Sequence, residues 1–186
     1  MYSIIVHGGV GAVPPTSKRL SSPGVREAVL AGSDVPAGSG SSMDAVETAM
    51  KVLEDNSLFN AGTGSVLTFD GEVEMDAAVA HGPALGFGAI AGIRNIEHLI
   101  SLARIVMEKT DHVLLQDSGA QEFARMMGIA PHNPVIEERH TQWREYRERF
   151  PAGDTGDWPK LKALMNEHPE SCTAPSVLSL WTNRVM

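Results

Sequence analysis

Hydrophobic residues follow two different spacings in the first part of the chain, and each spacing predicts a different kind of element. Residues 3–7 form a short β-branched run that ends at Gly8 and Gly9, which predicts a buried strand entering a tight turn. Apolar residues then recur at helical spacing between residues 24 and 35, until Pro36 and a Gly/Ser cluster interrupt them. We therefore expect a strand, a helix and a loop in this order.

The clearest helical pattern follows Ser41. Its side chain suits an N-cap position, and Asp44 stands in the first turn, where a carboxylate favours the positive end of a helix. The next apolar residues share one helical face: Met43, Val46, Met50 and Leu53. This pattern predicts a second helix that begins at Ser41.

Turn signals and short apolar runs predict a small sheet after this helix. The pair Asp70 and Gly71 is a strong hairpin signal, and residues 65–67 and 72–79 flank it as two strands. Residues 87–93 are small and apolar and predict a further strand.

Two more helices are predicted beyond the sheet. The first has one apolar face and ends near Lys109, and residues 112–115 then return to an extended conformation. The second covers residues 120–127, with Gly128 at its C′ position.

The character of the sequence changes at about residue 131. Residues 131–171 are rich in charge, proline and glycine, which predicts a flexible linker with at best a solvated, mixed-charge helix. Residues 172–186 form a tail without usable periodicity. Residues 1–130 are therefore expected to carry the folded part.

Composition narrows the class of protein. The 186 residues are 42% hydrophobic and 20% charged, an ordinary globular balance that favours one domain. A net charge of −8 without basic runs argues against nucleic-acid binding, and no apolar stretch or leader pattern predicts membrane insertion or export. The single cysteine, Cys172, excludes a disulfide within one chain, so we expect a cytoplasmic protein.

Several polar residues invite a functional interpretation, and each has a simpler one. His7 stands at a strand end, where a histidine suits acid/base chemistry, and its simpler interpretation is a hydrogen-bonded structural residue. Glu72, Glu74 and Asp76 alternate along a strand and so share one face. A solvated or hydrogen-bonded face suits the glutamates, and a buried carboxylate that organises loops near Gly8 and Gly9 suits Asp76. The run 110–112, Thr-Asp-His, is merely sequential and is not expected to be a triad.

A family resemblance emerges when the motifs are taken in order. They include Val6-His7-Gly8-Gly9, Met43-Asp44-Ala45-Val46-Glu47, Phe59-Asn60-Ala61-Gly62-Thr63-Gly64-Ser65, Met75-Asp76-Ala77 and Ala103-Arg104-Ile105-Val106-Met107-Glu108-Lys109. Together they resemble the plant-type L-asparaginases and isoaspartyl peptidases, which are N-terminal-nucleophile hydrolases. The likeness extends to about Gly128 and covers the portion that becomes the α subunit in that family.

The resemblance implies an α+β fold, a four-layer αββα sandwich of which only the first half is present. It also implies a precursor that cuts itself before an internal threonine, whose hydroxyl and freed amine then act as nucleophile and base. No segment of this sequence matches the family's threonine strand, so we expect the chain alone to be inactive.

The tail after Ser171 offers an explanation for the missing strand. When reading begins at the third base of the Cys172 codon, permitted codons give His-Gly-Thr-Val-Gly-Ala-Val-Ala-Val-Asp, a threonine strand of the family's type. Residues 173–186 are therefore interpreted as a frame-shifted reading that arose by splicing, mutation or a gene-model error.

The resemblance implies few site residues within this chain. A loop after the second helix would hold a structural Na⁺ through main-chain carbonyls, and the alternative is an ordinary glycine-rich loop. The matching positions are Leu53, Glu54, Asn56, Phe59, Ala61 and Thr63. Asn60 matches a position close to the nucleophile, where it would help to place the threonine or would simply cap a turn. No other cofactor is expected.

Two functional hypotheses follow from the resemblance. The intact enzyme would hydrolyse L-asparagine and β-aspartyl dipeptides, and would work as a homodimer of αβ units. Alternatively, the chain is a non-catalytic fragment that binds or regulates the full-length enzyme through its β subunit. An isolated half sandwich would leave an apolar sheet face exposed.

Overall fold

A computed structural model describes residues 2–9, 15–68, 70–149 and 159–167 of the chain. The helices are α1 Pro15–Ala37, α2 Ser42–Asp55, α3 Leu99–Lys109, α4 Asp117–Met126, α5 Glu137–Arg149 and α6 Pro159–Glu167. The strands are β1 Met75–His81, β2 Gly86–Ile93 and β3 Leu114–Gln116. The fold of this part is thus mixed α+β. Within it, no helix has the length and apolarity that crossing a bilayer requires.

The three strands form one sheet in the order β1-β2-β3, with β1 antiparallel to β2 and β2 parallel to β3. The register between β1 and β2 shifts between Met75 and Ala77, which pair with Ile93 and Ile90. Asp76 lies at this bulge, and its Oδ1 accepts a hydrogen bond of 2.8 Å from the Gly92 amide. The carboxylate therefore stabilises an irregular point of the sheet.

Helix α3 packs on the sheet at very short range. A Cβ added at Gly88 of β2 would lie only 2.3 Å from the Ala103 carbonyl oxygen of α3. Side chains from the sheet and from α3, with α4 beside them, fill the main core. Its largest fully buried side chains are Ile90, Ile93, Ile96, Leu99, Leu102 and Val106. Burial of these side chains is the main source of stability for this layer.

Helices α1 and α2 form a second, smaller packing unit. Ala28 of α1 packs with Ala49 and Leu53 of α2, and Ile4 and Val6 of the N-terminal segment cover them. Gly32 permits the close approach, since a Cβ there would lie 2.9 Å from the Ala45 carbonyl oxygen. Small residues at the contact thus set the distance between the two helices.

The start of α2 matches the prediction from its sequence. Ser41 Oγ accepts a hydrogen bond of 3.1 Å from the Asp44 amide, and Asp44 Oδ2 accepts one of 2.8 Å from the Ser41 amide. This reciprocal pair is a capping box that satisfies two amides at the helix end.

Two predicted strands are absent from the described residues. Residues 3–7 form no ladder, and Ile5 is 94% exposed although Ile4 and Val6 pack inward. Residues 65–67 are also irregular, although Thr68 and Glu72 form a hydrogen-bonded turn around Gly71. These predictions were wrong because a strand needs a hydrogen-bonding partner, which its own sequence pattern does not supply.

Residues 131–149 belong to the segment predicted as a linker, and they contact the preceding part of the chain. Pro134 is fully buried, and its carbonyl accepts a hydrogen bond of 2.9 Å from the Gly64 amide. Arg139 Nε donates to the Gly64 carbonyl at 2.7 Å. The mixed-charge helix α5 buries none of its residues. The boundaries at residues 130 and 171 stay predictions, and residues 172–186 lie outside the described part.

Arg104 joins α2 to α3 electrostatically. Its Nη1 lies 2.7 Å from both Asp44 Oδ1 and Glu47 Oε2, and its Nε donates to Glu108 at 2.7 Å. Hydrogen bonds from Ser41, with a contribution from Arg104, hold the pKa of Asp44 well below its usual range. Burial opposes ionisation of Glu47, but hydrogen bonds from neighbours that include Arg104 lower its pKa to about 2.

These lowered pKa values predict a loss of stability in acid. Because the carboxylates bind protons less readily when folded, the stability they contribute is complete above pH 4.5 and declines toward pH 2. Arg104→Ala should cost about 1–2 kcal/mol at neutral pH and should reduce the acid-dependent loss. Urea unfolding at several pH values measures both effects. Arg26→Ala, on the exposed face of α1, is the matched control and should leave the pH profile unchanged.

Candidate functional site

The best candidate for a functional site is the loop that follows α2, called here the α2 loop (residues 56–64). Asn56 caps the end of α2, and its Oδ1 accepts a hydrogen bond of 3.1 Å from the Leu58 amide. The Thr63 amide then donates to the Glu54 carbonyl at 2.8 Å. The loop therefore curls back and closes on the last turn of the helix.

Close approach of two backbones makes this closure possible. A Cβ added at Gly62 would lie 2.5 Å from the Glu54 carbonyl oxygen and 2.9 Å from its Cα. Gly64, which ends the loop, has a φ of +83°, in the left-handed region that favours glycine. Glycine is thus required at position 62 by the close approach of two backbones, and at position 64 by the left-handed conformation.

Phe59 fixes the α2 loop to the rest of the protein. It is 4% exposed, and its ring lies against the backbones of Gly8 and Gly24, where added Cβ atoms would come within 2.9 Å and 2.7 Å. The Gly8-Gly9 turn of the N-terminal segment therefore serves as a platform for this ring. Asp76 was expected to be buried and to organise loops near this turn. It lies instead exposed at the sheet bulge.

Glu54 links the same region to α3. Its side chain is 2% exposed, and its Oε1 accepts a hydrogen bond of 2.9 Å from the Ile100 amide in the first turn of α3. The N-cap residue of α3, His98, makes no capping bond with its side chain, so Glu54 meets part of that need from another helix. Burial raises the pKa of Glu54 to about 8, although the bond from Ile100 favours the charged form.

The residues predicted for the Na⁺ loop share this segment. They span the end of α2 and the α2 loop, and the closure between Glu54 and Thr63 brings the two ends of the set together. The carbonyls of Leu53, Glu54 and Asn56 each accept one backbone hydrogen bond, and a carbonyl oxygen has a second lone pair. A curled loop with carbonyl oxygens fits a hard monovalent cation, and the ion itself stays a prediction.

Asn60 has a defined structural role in the α2 loop. It is partly buried, and its Oδ1 accepts a hydrogen bond of 2.8 Å from the Val66 amide, which supports the chain as it leaves the loop. This contact is the turn-capping role foreseen for it. The same side chain carries a second polar group, the Nδ2 donor, and a role in placing a nucleophile stays a prediction.

The other polar candidates have structural partners. His7 is exposed, and its Nδ1 accepts a hydrogen bond of 3.1 Å from the Gly9 amide. Glu74 pairs with Arg94, and the Glu72 amide donates to Thr68 Oγ1. Thr110 Oγ1 donates to the Val106 carbonyl at the end of α3, as a helix-capping group would. None of these arrangements forms a triad.

Two features were not foreseen from the sequence. A cavity of about 360 Å³ lies between β2 and α4, lined in part by Arg94, Asp117 and Arg125, and it contains no residue of the α2 loop. The second feature is a cluster of Asp55, Glu97 and His98, whose ligand atoms lie within 4.8 Å of one another. No sequence spacing indicated this cluster, since α2 supplies one member and the segment before α3 the other two.

The structure predicts that Gly62→Ala destabilises the protein by about 1–3 kcal/mol. The added methyl group would meet backbone atoms of Glu54, which cannot move aside as a flexible side chain would. Thermal unfolding measures the change. Gly119→Ala is the control, because a Cβ there has no neighbour within 4 Å and alanine favours the helix. Equal unfolding temperatures for the two variants would contradict the described closure of the loop.

Comparison with known proteins gives consistent results. Residues 1–168 match the family described as Asparaginase. The chain is 55% identical over 172 residues to the plant-type L-asparaginase of Pyrococcus abyssi, and 54% identical over 173 residues to that of Pyrococcus furiosus. Both matches cover 91% of this chain and 56% of the relative. It is also 49% identical over 138 residues to the isoaspartyl peptidase/L-asparaginase of Xenopus laevis, which covers 73% of this chain and 45% of that protein. The chain thus spans about half the length of these relatives.

Proposed function

Because the chain belongs to the Asparaginase family, we propose that it forms the N-terminal half of an enzyme that hydrolyses L-asparagine and β-aspartyl dipeptides. The observation that carries this proposal is the match to plant-type asparaginases over nine-tenths of the chain at more than half identity. The names of these relatives supply both substrate classes. The single cysteine supports a cytoplasmic setting.

The complete fold in this proposal is the four-layer αββα sandwich, of which this chain supplies one helical layer and part of the sheets. Exposed apolar surface on the described residues supports it. Ala78 and Ala80 of β1 are exposed on the face away from the core, and Phe87 of β2 is 47% exposed. Residues 3–7 alternate between packed and exposed side chains without a strand partner in the described part. Strands from the other half of the enzyme would cover these groups.

Chemistry in the proposed enzyme begins with a threonine at the start of the second half, made by self-cleavage of the precursor. Its hydroxyl attacks the side-chain amide carbon of asparagine, its amine accepts the hydroxyl proton and passes it to the amide nitrogen, and ammonia leaves. Water then hydrolyses the acyl-enzyme ester to release aspartate. A β-aspartyl dipeptide follows the same course, with the second amino acid as leaving group.

This chain would serve that chemistry by positioning. The Asn60 side chain is held by its bond to Val66, so its Nδ2 group has a fixed direction from which to hold the threonine or its oxyanion. The α2 loop would bind a structural Na⁺ through the six carbonyls from Leu53 to Thr63. The ion would hold the loop closed, while Phe59 fixes it against Gly8 and Gly24.

The exposed apolar side of the sheet favours a second candidate function. The chain would bind the β subunit of full-length enzyme through this surface and would act as a non-catalytic partner. The residues after 168 lie beyond the family match, and a frame-shifted origin for residues 173–186 stays a proposal.

Complementation tests the proposed function. The full chain is co-expressed with the part of the Pyrococcus abyssi enzyme that lies beyond the matched region, starting at its threonine. We expect a stable complex that releases ammonia from L-asparagine, whereas each half alone releases none. A complex without activity would favour the regulatory partner. Failure to form any complex, when the same halves of the Pyrococcus enzyme do form one, would contradict both.

The same complex tests the role of Asn60. Asn60→Ala should lower kcat by about tenfold or more with a smaller effect on KM, because a positioning group acts mainly in the transition state. Asn133→Ala is the matched control, since Asn133 Oδ1 likewise accepts a backbone hydrogen bond, from Val135 at 3.1 Å, and has no assigned role. If both variants lose activity equally, Asn60 is only a turn cap.

A further inference from the structure

A cluster of metal-binding side chains lies where α2 ends and α3 begins. Asp55 is the last residue of α2, and Glu97 and His98 directly precede the first turn of α3. One ligand atom from each of the three lies within 4.8 Å of the other two. Two carboxylates and an imidazole therefore converge from two elements that are far apart in sequence.

A buried and unpartnered carboxylate oxygen lies against this cluster. Glu54 is 2% exposed, and its Oε2 makes no hydrogen bond within the described part of the chain. It lies 3.4 Å from His98 Nδ1, which is itself buried without a hydrogen bond and lies 3.8 Å from Asp55 Oδ1. Buried polar atoms normally have hydrogen-bond partners. These two atoms lie within ion-pair distance of each other when His98 is protonated, but neither makes a hydrogen bond.

The distances suit a shared ion better than direct hydrogen bonds. Two ligands of one tetrahedral metal ion lie about 3.3 Å apart when each bond is about 2.0 Å long. The separations from His98 Nδ1 to Glu54 and Asp55 are close to this value. Asp55 has a 58% exposed side chain, and Glu97 is exposed. Both side chains are therefore able to rotate and bring their carboxylate oxygens to this separation.

We propose that Glu54, Asp55, Glu97 and His98 form a binding site for a divalent transition-metal ion of the Zn²⁺ class. An imidazole nitrogen with carboxylate oxygens is a ligand set that Zn²⁺ and its neighbours accept, whereas Mg²⁺ and Ca²⁺ prefer oxygen alone. The ion would coordinate Glu54 Oε2 and His98 Nδ1, the two buried atoms without a hydrogen bond, and would neutralise the Glu54 carboxylate.

This site differs from the proposed Na⁺ loop in its ligands, which are side chains and not main-chain carbonyls. It also does not depend on the proposed enzymatic activity. A metal ion bound here would clamp the C-terminal end of α2 to the N-terminal end of α3. Glu54 already connects these two ends through Ile100, so the ion would strengthen an existing junction.

Metal binding to the full chain tests the proposal. A Cys172→Ser background removes the one thiol, which would otherwise compete for zinc. After treatment with a chelator, the chain is titrated with Zn²⁺ in a calorimeter and with Co²⁺ while visible absorption is recorded. We expect one equivalent of Zn²⁺ to bind, a Co²⁺ spectrum of low coordination number, and a higher unfolding temperature with zinc than with Mg²⁺.

Three variants locate the site. His98→Asn and Glu97→Gln should each weaken zinc binding by about tenfold or more and abolish the rise in unfolding temperature. His112→Asn is the matched control, because His112 is exposed and outside the cluster, and it should bind zinc normally. Glu97 is exposed, so its variant should fold even if His98→Asn does not. Absence of stoichiometric binding, or equal affinity in Glu97→Gln and His112→Asn, would overturn the proposal.

Discussion

The junction at Glu54 is the interaction on which the rest of the described structure depends. Its carbonyl accepts a hydrogen bond from Thr63 and closes the α2 loop, while its carboxylate accepts one from Ile100 and supports the start of α3. The backbone at this point also leaves no space for a side chain at residue 62. A single residue thus sets the positions of α2, the α2 loop and α3. Because its side chain is buried, each of these contacts is protected from competition by water.

Around this junction, the described residues leave apolar surface exposed on one side of the sheet. The sheet is covered by α3 on one face, and exposed apolar residues remain on the other. The N-terminal segment packs through Ile4 and Val6 and turns Ile5 to the outside. In the proposed function, a complementary half would cover these surfaces. The proposed function therefore assigns the nucleophile and this chain's positioning groups to different segments.

The candidate site was partly predictable from the sequence. The α2 loop and Asn60 were found because a family motif marks them, and motifs of this kind are contiguous along the chain. The cluster around His98 was not found, because its members come from two elements and their convergence depends on how α2 meets α3. Asp76 shows the same limit, since it was expected to be a buried carboxylate and lies exposed at a sheet bulge.

The sequence by itself determined the elements whose signals are local. The N-cap at Ser41, the strand β2, the helix α3 and the family membership all rest on patterns within short stretches. Tertiary structure alone decided which extended segments became strands, why Gly62 and Gly88 needed to be glycine, and which carboxylate was buried. Residues 3–7 look like a strand but have no ladder in the described part, and Glu54 looks like a surface residue but caps a helix 46 positions away. The physical reason is that helix caps and turns are satisfied by neighbours in sequence, whereas strand pairing and burial require partners that only the folded chain brings together.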